Sequence, residues 1–398
     1  MDSEEEILYE DEVELVSDND EVEMVGSENE ENDDGIDDGF GEIVIQPVRD
    51  DAKNIFSNHK GSVFCCDIQA KGENLIVTGG EDDKAYIWKP VSGEVVLQCT
   101  GHKDSVTCVG FSFDGTYVAT GDMSGLVQVW KVAEKSLVWE TNVEDLEWLK
   151  WHPGANVLLT GTITGDVYMW RIPAGECKIL PGRGKKTDCG VILPDGIRAA
   201  IGYENGEVNI YDIKNAKILH NIHEGQAHSD SITDMDCHPD NNLLITGGTD
   251  GRAVVIKTQD GRIVAVLDPA NDRMDDGSTS QVSMETVGFY KGSSSLPLAA
   301  TGSLNGLLCI WDVSRGVERH RVRQDAGIIK LLWDKSNPII YTASLDGSIG
   351  LYDARSGALE KQFLGHSNGI LDIALSEGGE FLLSTSYDST ARIYSVKE

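Results

Sequence analysis

The sequence has no Asn-x-Ser/Thr sequon, no Cys-x-x-Cys pair, and no Lys or Arg anywhere in its first 42 residues. Each absence removes a class of function. Without a sequon there is no sign of secretory glycosylation. Eight cysteines (65, 66, 99, 108, 177, 189, 237 and 309) with no CxxC pair and no metal-ligand spacing make neither a zinc site nor a redox motif. They read as small buried hydrophobes of a reducing compartment. No apolar run approaches the ~18–20 residues of a membrane helix. The opening Met-Asp-Ser-Glu-Glu-Glu is the reverse of a basic signal-peptide start. A cytoplasmic protein, or one also present in the nucleus, is expected.

Cations are scarce overall. Lys and Arg number 33 against 67 Asp and Glu, for a formal net charge of −34. Residues 1–42 hold 20 of the acids, leaving 47 acidic against 33 basic residues in the remainder. That tail has too much self-repulsion and too few aromatics to collapse, so disorder is expected for 1–42. The rest, 43–398, has globular composition. Phosphate neutralisation needs clustered Lys and Arg, so direct nucleic-acid binding is not expected. A basic partner is favoured.

What is present is a period. Strand-like apolar segments end on Trp88, Trp130, Trp170, Tyr211, Ile256, Trp311, Tyr352 and Tyr394, at gaps of 42, 40, 41, 45, 55, 41 and 42 residues. A repeat of roughly 40–45 residues built of short strands points to one β-propeller blade per unit. Residues 59–99 show the unit: Ser62–Ile68, Leu75–Gly80, Ala85–Trp88 and Val95–Cys99, separated by Gly, Asp and Asn turns, read as a four-stranded meander.

These residues resemble the WD40-repeat family. Gly-His stands at Gly101-His102 and Gly365-His366, with Asn58-His59 and Ala227-His228 as variants, and Trp-Asp survives at Trp311-Asp312. The resemblance implies an all-β, eight-bladed WD40 β-propeller over about 52–398. It also implies a His–Ser/Thr–Asp–Trp network in each complete blade: His59, Thr78, Asp82 and Trp88 in the first, His102 and Trp130 in the second, His366, Ser384, Asp388 and Tyr394 in the last. Repeats 3, 4 and 6 lack the His. The last repeat stops at its third strand, so residues 52–57 are expected to close the ring as its fourth.

Catalytic readings fail on repetition and spacing. His59 with Ser62, or His366 with Ser367, could suggest a base and nucleophile, yet the His recurs blade after blade while active sites are singular. Gly182-Arg183-Gly184-Lys185-Lys186-Thr187 misses the GxxxxGK[ST] spacing, with Ile179 where the first Gly belongs. No enzyme activity and no cofactor are expected.

In the family, residues flanking the start of each first strand, and the residue before each Asp position, line one face. Carried over, the latter set is Glu81, Met123, Ile163, Glu204, Thr249, Leu304, Leu345 and Tyr387. The matching residues of the first strands are Phe64, Thr107, Glu147, Asp188, Thr233, Glu285, Ile329 and Leu371, with Asp145 adding an acid. The expectation is a face of carboxylates alternating with large apolar groups and free of Lys and Arg. Glu81, Glu147, Glu204, Glu285, Asp145 and Asp188 would meet a basic segment, and Phe64 and Tyr387 its apolar part. The acidic loop 268–276 is placed on the same face.

Acidic tail plus eight repeats resembles the layout of the angio-associated migratory cell protein family, itself similar to a fungal WD-repeat chaperone of one large-subunit ribosomal protein. That resemblance implies a chaperone capturing a basic segment of a ribosomal protein; a monomer is expected. A signalling scaffold, a ubiquitin-ligase substrate adaptor or a histone chaperone remains open on sequence alone.

Overall fold

The computed structural model describes residues 45–182, 184–269, 282–292 and 297–397. The acidic segment 1–42 and most of the 268–276 loop, with the expectations attached to them, lie outside the described residues. Among the described residues, thirty-two strands, β1 (Asn54–Phe56) to β32 (Ala391–Ser395), form eight separate four-stranded antiparallel sheets. The innermost strands are β2 (Val63–Ile68), β6 (Val106–Phe111), β10 (Leu146–Trp151), β14 (Thr187–Ile192), β18 (Ile232–Cys237), β22 (Met284–Phe289), β26 (Ile328–Trp333) and β30 (Ile370–Leu375). Each packs on the next, and β30 returns to β2. The ring is an eight-bladed β-propeller.

Burial follows from layer position. Second strands such as Ile76–Gly80 are buried at every residue, because both faces of the sheet meet a neighbouring blade. Outer strands alternate, as in Val317–Arg323, because only one side chain in two still finds a neighbour.

The eighth sheet runs β1, β32, β31 (Phe381–Ser386), β30. Asn54 pairs with Ile393 and Phe56 with Ala391. The strand is shorter than 52–57 because the chain upstream makes other bonds. Asp51 N–H donates to Leu364 O at 2.8 Å, its carboxylate accepts Leu364 N–H at 2.9 Å, and Asp50 pairs with Arg392. Phe56 then stacks on Trp88 of blade 1, which ties the joint to the opposite end of the repeat array.

The buried polar networks vary more than the repeat suggests. In blade 1, His59 Nδ1 lies 2.8 Å from Asp82 and Nε2 3.0 Å from Thr78, which also accepts Trp88 Nε1–H at 3.3 Å. Blade 8 repeats this with His366, Asp388 and Ser384 at 2.8 and 2.7 Å. Blade 2 draws its carboxylate from elsewhere. His102 meets Thr120 at 2.8 Å and Asp122 at 3.0 Å, and Asp122 precedes the usual turn position by two residues. Ser124 stands at that position and donates to Asp122 at 2.8 Å. Trp130 is buried in the core, with its indole N–H unpaired. Blade 7 substitutes Gln324, which donates to Thr342 at 2.8 Å and accepts from Ser344 at 2.7 Å. In blade 4 a Tyr203–Tyr211 hydroxyl pair at 3.0 Å replaces the network.

Because adjacent blades share no backbone ladder, the free edges of the innermost strands need partners. Side chains of the preceding blade supply them. Asp67 accepts Phe111 N–H at 2.7 Å, Asp236 accepts Phe289 N–H at 2.8 Å, and Asp234 and Asp372 accept Val287 and Cys66 N–H at 3.0 Å. Thiols serve the carbonyls: Cys65 donates to Val106 O at 3.5 Å, Cys189 to Ile232 O at 3.6 Å. Seven cysteines are buried or half-buried; Cys177, on an outer strand, is exposed, contrary to its reading as a buried hydrophobe.

Candidate protein-binding face

At one end of the ring every blade repeats the same local irregularity. The pairing of each innermost strand with its neighbour slips by one residue, between Val63 and Cys65 in blade 1 and at the matching place in the other seven. Two residues then oppose one, and a bulge of this kind re-aims a side chain. The residues left unpaired are Phe64, Thr107, Glu147, Asp188, Thr233, Glu285, Ile329 and Leu371, all half-buried.

A second constraint brings the other set alongside. The backbone N–H of Glu81, Met123, Ile163, Glu204, Thr249, Leu304, Leu345 and Tyr387 donates, at 2.9–3.1 Å, to the carbonyl two residues before the bulge. Those acceptor residues are Ser62, Ser105, Asp145, Lys186, Ser231, Ser283, Gly327 and Gly369. Each blade thus presents three positions held by one turn and one bulge, two of them side chains in blades 7 and 8, where the third is glycine. Glycine in the facing strand permits the close approach of the next blade. A Cβ at Gly79 would fall 2.7 Å from Val106 Cγ1, and one at Gly121 2.2 Å from Leu146 Cδ2.

The face differs from the expected alternation in two ways. First, it contains a cation. Lys186 Nζ lies 3.1 Å from Glu147 and 3.3 Å from Asp188, and its backbone N–H donates to Glu204 at 3.2 Å. Burial would lower the Lys186 pKa, yet these two carboxylates hold it above the usual lysine range. Glu147 and Asp188 are therefore partly neutralised within the chain. Glu81 is also engaged, accepting Ser62 N–H at 2.8 Å. Lys186 stands at the third position of its blade, before the first residue of the innermost strand, whereas the sequence expectation rests on the other two positions.

Second, the chemistry is segregated. Blades 3 and 4 bear Asp145, Glu147, Lys186, Asp188 and Glu204, with Ile163 the only apolar member. Blades 7 and 8 bear Ile329, Leu345, Leu371 and Tyr387 and no charge at these positions. Leu304, Leu345 and Tyr387 are 46%, 39% and 46% exposed. Met123 and Ile163 add exposed apolar area on blades 2 and 3, beside the half-buried Phe64 of blade 1.

From the face, at Thr107 and Glu147, an open cavity of about 660 Å³ runs along the innermost strands, lined also by Cys65, Cys66, Asp67, Lys150, Lys330 and Asp372. Burial pushes the Asp67 carboxyl up to about 6 and the Cys65 and Cys66 thiols well above their usual range. Thiols so raised are poor nucleophiles. Among the described residues no group of three or more His, Cys, Asp or Glu is placed to hold a metal ion.

Known proteins match this arrangement. The WD domain, G-beta repeat model matches residues 51–89, 93–131, 219–257 and 357–395. The human angio-associated migratory cell protein is 42% identical over 353 residues, covering 87% of this chain and 81% of its own length. The ribosome assembly protein SQT1 of Saccharomyces cerevisiae is 23% identical over 388 residues, covering 88% and 86%. Sqt1 of Chaetomium thermophilum, solved bound to the N-terminus of the ribosomal protein L10, shares the fold with a TM-score of 0.77 at 21% identity, over 87% of this chain and all of that one. With its eight blades and this degree of identity, the chain belongs to the angio-associated migratory cell protein family of WD40-repeat proteins.

Proposed function

We propose that the chain is a non-catalytic chaperone that captures a basic segment of a large-subunit ribosomal protein, of the L10 type, on the face described above. The observation that carries this reading is the pairing, on one face, of the blade 3–4 carboxylates with exposed apolar side chains. The likeness to a propeller solved with a ribosomal-protein N-terminus supports it. A basic segment of that kind would otherwise bind RNA indiscriminately.

An exposed ion pair contributes only about 0.2–1 kcal/mol. Several must act together, and a buried apolar anchor must supply the remainder. Convergent negative charge also speeds encounter with a basic partner, an effect that salt weakens. Glu147, Glu204, Glu285 and Glu81 take the Arg or Lys side chains, and Phe64 and Tyr387 the apolar ones. The protein acts as a monomer in the cytoplasm, without contacting nucleic acid.

The test is capture from a cell lysate by the full-length chain at low salt, with mass spectrometry of what elutes as salt rises. A basic large-subunit ribosomal protein should elute with steep salt dependence, and a Glu147→Lys/Glu204→Lys variant of unchanged melting temperature should not retain it. A salt-resistant set of signalling or ubiquitin-ligase subunits, indifferent to that variant, overturns the reading.

A further inference from the structure

In a ring of eight, blade 3 lies across from blade 7 and blade 4 across from blade 8. The most charged pair of blades and the pair without charge are therefore opposed across the channel, with Glu81 and Glu285 on the flanking blades 1 and 6 and the exposed Met123 and Ile163 on blades 2 and 3. Blades 7 and 8 also carry glycine where blades 3 and 4 carry Asp145 and Lys186. The backbone itself is close there. A Cβ at Gly327 would fall 2.4 Å from Leu304 O and 3.1 Å from Leu345 Cδ1, and one at Gly369 would fall 3.1 Å from Leu345 O. No side chain at either glycine covers Leu345 or Tyr387. Exposed apolar side chains on adjacent blades mark an interaction site, and the carboxylates opposite indicate what covers it.

Resting on the proposed function, we propose that the bound segment crosses the ring with a fixed polarity. Its aliphatic or aromatic anchor seats on Ile329, Leu345, Leu371 and Tyr387, and its Arg or Lys side chains reach blades 3 and 4. Lys186 occupies the cationic half in the free protein, and the partner's cations displace it or share its carboxylates.

This arrangement answers a selectivity problem. An acidic face alone cannot tell one basic protein from another, because exposed charge pairs are weak and interchangeable. Discrimination needs an element that acts against the wrong partner as well as one that favours the right one. The tethered Lys186 competes with every cation, so chains that are merely basic bind weakly. Chains that also bring an anchor gain the burial of an apolar side chain, about 1.5–3 kcal/mol when complete.

Fluorescence anisotropy on the full-length chain tests this with two synthetic peptides of equal charge. One has arginines in one half and leucine and phenylalanine in the other; the second has the arginines alone among serines. Leu345→Ser and Lys186→Met are surface changes whose folding is checked by thermal melting. Leu345→Ser should weaken the anchored peptide by about tenfold and leave the arginine–serine peptide within about twofold. Lys186→Met should tighten both by about threefold or more. Equal weakening of the two peptides by Leu345→Ser, no weakening of either, or loss of affinity in Lys186→Met overturns the proposal, as does failure of the wild-type chain to bind the anchored peptide. If the ribosomal protein is captured equally by wild type and Leu345→Ser, the polarity falls and the chaperone reading stands. Failure of wild-type capture removes that reading first.

Discussion

Phe56 stacks on Trp88 with ring centroids 4.5 Å apart and planes within 6° of parallel. Phe56 belongs to the three-residue strand that completes blade 8, and Trp88 to the third strand of blade 1. One aromatic contact therefore joins the two ends of the repeat array. Removing a fully buried Phe costs about 3–5 kcal/mol through lost transfer energy and the cavity left behind.

Phe56→Ala should lower the melting temperature markedly, and deletion of 52–57 should do so further. Deletion of 1–42 should leave it close to wild type. Differential scanning calorimetry of the three variants decides the matter. Equal melting of the 1–42 and 52–57 deletions would show that the ring does not depend on this joint.

Blade 2 invites a rescue experiment. Its carboxylate comes from Asp122, two residues before the position that Asp82 and Asp388 occupy in blades 1 and 8. Asp122→Gly leaves a buried His102 with Thr120 but without its carboxylate partner and should cost about 2–4 kcal/mol. Adding Ser124→Asp rebuilds the blade 1 arrangement, with Gly and Asp where blade 1 has Gly80 and Asp82, and should recover most of the loss in urea unfolding. No recovery would mean that the backbone of blade 2 cannot present an acid from the turn.

These substitutions show why parts of the molecule were legible in the sequence and parts were not. The blade period, the Gly-Asp-Asn turns and the large anchors are local, so they survive in a linear reading. The bulge positions follow from the repeat once one blade is aligned, and the alignment holds around the ring. Asp122, Gln324 and the Tyr203–Tyr211 pair are spatial replacements: each fills the same hole from a different position or with a different residue type. No fixed spacing marks them. Lys186 escaped for a similar reason, since its meaning depends on Glu147 of the preceding blade, 39 residues away. Segregation of charge across the face emerges only when the eight blades are closed into a ring.

The cysteines should divide sharply in reactivity. Burial raises the thiols of Cys65, Cys66 and Cys189 well above their usual range, and Cys177 is exposed on its outer strand. Iodoacetamide treatment of the native protein, followed by peptide mapping, should label Cys177 first and the channel cysteines only after unfolding. Early labelling of Cys65 or Cys66 would mean that the channel opens readily.

The channel carboxylate Asp67 gives a pH test with a definite sign. Burial raises it from 3.8 to about 6, against the pull of its bonds from Phe111 and Ile68 N–H. A carboxyl raised on folding binds a proton more tightly in the native state, so its contribution is lost as pH rises through about 6 and is fully present below about 4. A shift of this size corresponds to about 3 kcal/mol at most. Asp67→Asn cannot titrate. Its stability relative to wild type should therefore be highest near pH 7 and fall as pH drops from about 6 to 4. The buried imidazoles of His102 and His366 work in the other sense. Burial lowers both despite their Asp partners, so the stability they confer is present above 6.5 and declines as pH falls below it. They are common to wild type and variant and cancel in the difference. Thermal melts of the two proteins across this range isolate Asp67, and a difference independent of pH would show that its carboxyl titrates in the ring as it does in the unfolded chain.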